Sequence, residues 1–243
     1  MVNLLRAERI KLRRSLPLRL AVVGPLATVA VQFFVFLNQR HMDIAFWPVW
    51  HNQVEMFWAL IALPALIAIQ AASLTALEHG NDTWKAIGAL PNAGWHIFLV
   101  KTLVLYALVG ASFLLLVGFS FVAGLVIAGL RQYEQLAGGA VAQFVSQTAA
   151  MYVACLLVCS FQMWLSMRYR SFTAPVSIGI FGMAVGLMLV RDDRVGPWFP
   201  WLFPVDVVAY GRVHAALGIV AGGAGGLVIT LIGCSEFSRR ERV

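Results

Sequence analysis

Long apolar stretches separated by short polar ones set the pattern of this chain. A helix rising about 1.5 Å per residue needs roughly 20 apolar residues to cross a hydrocarbon core about 30 Å thick. Six stretches qualify, at residues 18–37, 54–77, 98–127, 140–167, 172–190 and 213–234. The fold class predicted is all-α, a polytopic membrane protein with six transmembrane helices in one domain, 18–234. The third stretch is longer than a bilayer requires, so it tilts or projects. Pro25 in the first and Pro64 in the second are tolerable where neighbouring helices satisfy the freed carbonyls, and Pro64 predicts a kink.

The segments between the spans carry their own patterns. Residues 1–17 place Arg6, Arg9, Lys11, Arg13 and Arg14 among Leu5, Leu12 and Leu16, which share one side of a helix. This predicts an amphipathic helix on the membrane surface. The apolar run that follows is span-length and ends in no small-x-small cleavage site, so it reads as a retained anchor. Phe46, Trp47 and Trp50 mark an aromatic loop after the first span. Residues 191–212, with Pro197, Trp198, Phe199, Pro200, Trp201, Phe203 and Pro204, are too apolar for open solvent and too proline-rich for a straight span. They are expected to lie in the interface or to re-enter partway. Residues 235–243 form a tail.

Composition agrees: 60% of the 243 residues are hydrophobic and 12% charged, against about half and a quarter in soluble domains. The net charge of +7 could suggest nucleic acid, but the basic residues flank the spans, where they meet lipid headgroups instead. Of the eighteen Lys and Arg, Arg40, Arg131, Arg191, Arg194 and Arg212 fall on one side of the six-span arrangement and the other thirteen on the opposite side. The positive-inside rule then puts both termini in the cytoplasm.

Little in the chain suggests catalysis. Cys155, Cys159 and Cys234 lie inside apolar stretches, with no CxxC pair and no disulfide framework. Cys155 and Cys159, at i and i+4, lack further metal ligands. His41, His51, His79, His96 and His214 read as interfacial, and Glu55, Glu78 and Asp206 as span-boundary acids, so no catalytic group and no metal is expected within the spans. No Walker A pattern occurs, and Gly222-Gly223-Ala224-Gly225-Gly226 is embedded in an apolar span, so ATP must be bound elsewhere.

Polar and small residues within spans need a use. Gln32, Gln70, Gln143, Gln147 and Gln162 require partners. Gln32, Gln143 and Gln147 are candidates for lining a translocation path, with interhelical hydrogen bonding as the alternative. Gly218, Gly222 and Gly226 repeat a small-xxx-small spacing that admits another helix closely, either within the subunit or from a second one. Gly182 and Gly186 do the same.

The most informative stretch runs from Glu78 to Pro91. Asn81 or Asp82 can cap a short helix starting near Thr83, and Pro91 stops it. Trp84, Ile87 and Leu90 then share a face suited to a groove on another protein. An acid ending the second span, Asn81-Asp82-Thr83-Trp84-Lys85, Leu90-Pro91 and a Lys, Lys101, opening the third span resemble type-2 ABC exporter permeases, most closely the lantibiotic-immunity branch. The opening Leu4-Leu5-Arg6-Ala7-Glu8-Arg9-Ile10-Lys11-Leu12-Arg13-Arg14-Ser15 is similar to that family's N-terminal connecting helix. Asn92, Ala93 and Gly94 stand where the branch usually has a basic residue. The resemblance implies that Glu78, Thr83, Trp84, Lys85, Ile87, Leu90 and Pro91 form a coupling element docked on a separate ATPase subunit, which would hold ATP and Mg. It further implies a second permease copy or paralogue, a bacterial cytoplasmic membrane, no cofactor on this chain, and export of a hydrophobic or amphipathic substrate such as an antimicrobial peptide. A non-transporting membrane scaffold or sensor that anchors a cytoplasmic partner is the reading from another class.

Overall fold

The computed structural model describes residues 12, 15–39, 45–79, 94–133, 138–169, 171–209 and 212–239, and among them every regular element is helical. Helix α1 is Leu16–Asn38, with Pro17 in the first turn, where a missing N–H costs nothing. Helix α2, Phe46–Phe57, runs through a wide turn, Trp58–Ala62, into α3, Leu63–His79. Helix α4 is Gly94–Arg131, and α5, Gly138–Ala154, continues past a break at Cys155 into α6, Leu156–Arg168. Helix α7 is Thr173–Leu189; two 3-10 turns, Gly196–Trp198 and Pro200–Leu202, lead to the short α8, Phe203–Ala209, and α9 is Arg212–Arg239.

These elements make six passages along one bundle. Five are long and apolar enough to span a membrane: Leu16–Asn38, Phe46–Ala76, Gly94–Arg131, Gly138–Arg168 and His214–Arg239. The fifth of the predicted six, α7, has 17 residues and sits just below that length. Contacts between helix ends establish the direction of each passage. Gln70 Nε2 donates to Pro17 O at 3.2 Å, Lys101 Nζ to Leu74 O at 2.9 Å, and Phe98 stacks on Phe237 at 5.3 Å. The first and last described residues thus lie at one end of the bundle, called here the terminal end, as an even number of passages requires. At the far end the Arg131 guanidinium donates to Leu37 O, and Phe46 stacks on Tyr133 at 4.8 Å.

The structure revises several boundaries. The aromatic segment around Phe46, Trp47 and Trp50 is helix, not loop, and all three side chains are buried. Pro48 is tolerated there because the first turn of a helix has no intrahelical acceptor for its nitrogen. Phe46, Trp50, Val54 and Trp58 recur at four-residue intervals on one buried face, and Trp50 Nε1 donates to Ser120 on α4 at 3.1 Å. The expected kink at Pro64 takes the form of the wide turn just before it, where Leu63 N–H reaches back five residues to Trp58 O. Proline cannot donate to the carbonyl four residues back and crowds it, and a one-residue widening relieves both problems. Helix α9 continues past Cys234 to Arg239, so part of the predicted tail is helical.

Residues 191–209 fold back against the bundle. Leu202, Phe203, Pro204, Val205, Asp206 and Val207 are all buried, and α8 packs between α9, α5 and α2. Glycine permits this closeness. A Cβ at Gly218 would stand 2.9 Å from Phe203 O, and one at Gly222 would overlap the Ala154 backbone. The outward faces carry exposed Phe34, Leu114, Val122, Phe181, Met188, Leu227 and Leu231, the apolar surface that a lipid-facing bundle presents.

Candidate functional site

Two regions of the bundle concentrate polar side chains. The first is the terminal end, where α3 and α4 enter and leave the segment between them. Lys101 lies two turns into α4 and is 1% exposed, with its ammonium bonded to the Leu74 carbonyl of α3. A buried cation is retained only where it is bonded, so this contact fastens together the two helices that the 80–93 segment joins. The last turns of α9 reinforce the same end. Glu236 accepts from Trp164 Nε1 at 2.7 Å and pairs with Arg168 at 2.9 Å on α6, while the Arg168 guanidinium lies 5.1 Å from the Trp164 ring centre. Its neighbour Phe237 stacks on Phe98 of α4, and Gly233 leaves the space that the Phe98 ring fills. Helices α3, α4, α6 and α9 are therefore cross-tied at the terminal end.

The second region is inside the bundle. On α2, His51 stacks on Phe144 of α5 at 4.1 Å and meets Phe121 of α4 edge-on at 5.4 Å. One turn further, Glu55 is buried and accepts from Thr148 Oγ1 of α5 at 3.0 Å. Phe144 and Thr148 are likewise one turn apart, so α2 and α5 meet through two matched pairs of residues at i and i+4. Asp206 on α8 is fully buried, and neither of its oxygens has a hydrogen-bond partner; His51 Nε2 also has none. Nearer the terminal end, Ser160 bonds to Tyr106 at 2.6 Å and to Gly226 O at 2.9 Å, and Thr230 closes the set at 3.2 Å. This network satisfies polar groups where α4, α6 and α9 meet.

Several expected site residues are located by this arrangement. Thr83, Trp84, Lys85, Ile87, Leu90 and Pro91 lie outside the described residues, as does most of the N-terminal helix; Glu78 belongs to the last turns of α3. Gln32 is buried in α1, while on α5 Gln143 is exposed and Gln147 half-buried. Gln70 finds its partner in Pro17, and Gln162, with its amide turned to suit, donates to Pro175 O at 3.2 Å and accepts from Gly179 N–H at 3.3 Å. Gly218, Gly222 and Gly226 all abut neighbours in the same chain, namely Phe203, Ala154 and Leu156. The Trp201 ring covers Gly182. Cys155 and Cys159 are buried, and among the described residues no group of three or more His, Cys, Asp or Glu could hold a metal ion.

Three sequence expectations are corrected. His51 is not a loop residue but a buried one, and Glu55 is not a boundary acid, because the helix that bears it starts nine residues earlier, at Phe46. Asp206, also placed at a boundary, is enclosed by the folded-back segment. The four-residue recurrence of Phe46, Trp50, Val54 and Trp58 was the signal that could have extended the second span and brought both residues inside it.

Among curated proteins and among solved structures, none matches the chain. The family model for the ABC-2 family transporter protein matches residues 4–186, from the N-terminal segment into α7. That stretch contains the five passages from α1 to α7, the cross-tied ends of α3 and α4 and the Glu55–Thr148 contact, while α8 and α9 lie beyond it. With three quarters of its length matched and a polytopic helical bundle to match it, the chain belongs to the ABC-2 transporter family, the membrane permease components of ABC transporters.

Proposed function

We propose that this chain is an export permease whose 80–93 segment receives the stroke of a separate ATPase subunit and passes it to α3 and α4. The observation that carries this reading is the buried Lys101–Leu74 bond. A push on a loop moves helices only if the two feet of the loop resist being splayed, and a bonded buried ammonium makes those feet one mechanical unit. The ties from α9 to α4 and α6 then offer a route by which the motion reaches the rest of the bundle. The coupling residues are Glu78, Thr83, Trp84, Lys85, Ile87, Leu90 and Pro91, with the apolar face of Trp84, Ile87 and Leu90 seated in a groove of the ATPase. The working transporter pairs this chain with a second permease copy or a paralogue and with two ATPases that bind ATP and Mg. It moves a hydrophobic or amphipathic cargo outward across a bacterial cytoplasmic membrane, an amphipathic peptide ranking first.

The test is co-purification of the ATPase together with export or resistance in cells. Truncating a buried aromatic anchor commonly costs about 2 kcal/mol or more, so Trp84→Ala is expected to lose the ATPase or to uncouple hydrolysis from export, with membrane insertion intact. Lys101→Met should keep the ATPase bound yet lower export, since it loosens the feet and leaves the docking face untouched. Full ATPase binding and full export by Trp84→Ala would refute the coupling role.

A further inference from the structure

Two acids occupy an interior that ought to exclude them. Glu55 is 1% exposed with one hydroxyl partner, Thr148, and Asp206 is fully buried with none. Neither has an ion-pair partner among the described residues. Burying a carboxylate without a cation or a full set of donors is costly, and acids within membrane helices persist where they bind something.

The packing sets both at a common depth. Gly222 abuts Ala154 at the end of α5, and Gly218, four residues earlier on the parallel α9, abuts Phe203 at the start of α8. Four residues are about 6 Å of helix, which puts Phe203 level with Met151 and its neighbours, about a turn from Thr148. Asp206 follows one turn along α8, which also packs on α2. Glu55 lies nine residues after Phe46, about 13 Å along the helix and close to the middle of a core about 30 Å thick.

The backbone is irregular at that same depth. The wide turn starts at Trp58, three residues after Glu55, and α8, which bears Asp206, is a helix of only seven residues. Interrupted helices at mid-depth are how membrane transporters build binding sites, because broken backbone survives in a bilayer only where it is enclosed or lines a path. We propose that Glu55 and Asp206 are the anionic half of a mid-membrane cargo site, and that the cargo presents to it a positively charged organic group on an apolar body. One turn from Glu55 the rings of His51, Phe121 and Phe144 pack on one another, an aromatic neighbourhood suited to the apolar body of such a cargo. A metal ion is the poorer occupant, since the described residues assemble no group of three or more metal-binding side chains.

This inference rests on the permease reading, and its test is separable from the test of that reading. The full chain, purified in detergent, is dialysed to equilibrium against tetraphenylphosphonium and, separately, against tetraphenylborate, which has the same shape and the opposite charge. Saturable phosphonium binding to the unsubstituted chain is expected, with no saturable binding of the borate. Glu55→Gln or Asp206→Asn should weaken phosphonium binding at least tenfold. Both substitutions preserve side-chain shape and remove a costly buried charge, so the loss comes with a melting temperature that is unchanged or raised, never lowered. The ATPase should still co-purify with both variants, because they lie far from the terminal-end turns of α3 and α4; its absence from the unsubstituted chain would instead count against the permease reading. No saturable phosphonium binding, equal binding of the borate, or binding unaltered in both variants overturns the cation site.

Discussion

At the residue scale, this bundle depends on what is missing from side chains as much as on what is present. Lipid tails are as apolar as leucine, so helices in a membrane associate through close packing and hydrogen bonds and not through the expulsion of water. Gly222 shows the consequence, because any Cβ there would overlap the Ala154 backbone, which cannot rotate away as a side chain could. Gly222→Ala should therefore destabilise the protein by about 2 kcal/mol, the usual scale of overpacking. Gly118 is the control: it sits in α4, and a Cβ added there would meet nothing within 4 Å, so alanine should cost nothing or gain up to about 1 kcal/mol of helix propensity. Thermal unfolding of the two variants in detergent checks the pair, and equal melting temperatures would contradict the packing argument.

At the scale of elements, the decisive feature is that the last turns of α9 hold α4 and α6 at the terminal end. Phe237 contributes the ring stacked on Phe98, and Glu236 joins Trp164 and Arg168. The charged pair is partly exposed and so contributes little by itself; the aromatic stack and the close seat of Gly233 matter more. Phe237→Ala should leave α9 inserted but free its end, so amide exchange is expected to rise over the last two turns of α9 and the first two of α4, and not over α1. A uniform rise across the bundle would mean that the residue serves general stability and not this junction. The wide turn between α2 and α3 belongs to the same scale. It answers Pro64 locally and lets one apolar stretch extend from Phe46 to His79 without a loop.

For the whole molecule, six passages bring the first and last described residues to the same end of the bundle, and the asymmetry of Lys and Arg predicts that this end faces the cytoplasm. Single cysteines at Gln135 and Val243 test it with a membrane-impermeant thiol reagent. Background should be low, because Cys155 and Cys159 are buried and Cys234 is half-buried. The Gln135→Cys chain should label in intact cells and the Val243→Cys chain only after permeabilisation. Labelling of both from the same side would contradict the six-passage arrangement.

The architecture was legible along the chain: apolar runs of span length dictate a helical membrane bundle, because backbone groups in lipid can be satisfied only internally. The motifs around 78–101 and the basic N-terminal segment were enough to point to the family, and the family match over 4–186 bears that out at the level of type-2 ABC permeases. The partners of Gln70 and Gln162, the segment that Gly222 meets and the burial of Lys101 were not legible, since each depends on which helix lies opposite. The recurrence of Phe46, Trp50, Val54 and Trp58 could have drawn His51 and Glu55 into a span, but the groups that enclose them, and the burial of Asp206, came from the fold. The aromatic segment before His51 and the proline-rich one before Asp206 read as connections, and Glu55 as a span boundary; it is the fold of α2 onto α5 and of α8 beneath α9 that withdraws them from water. Span length is a property of consecutive residues and is written along the chain, whereas burial of a polar group is a property of neighbours distant in sequence, which one chain read in order does not contain.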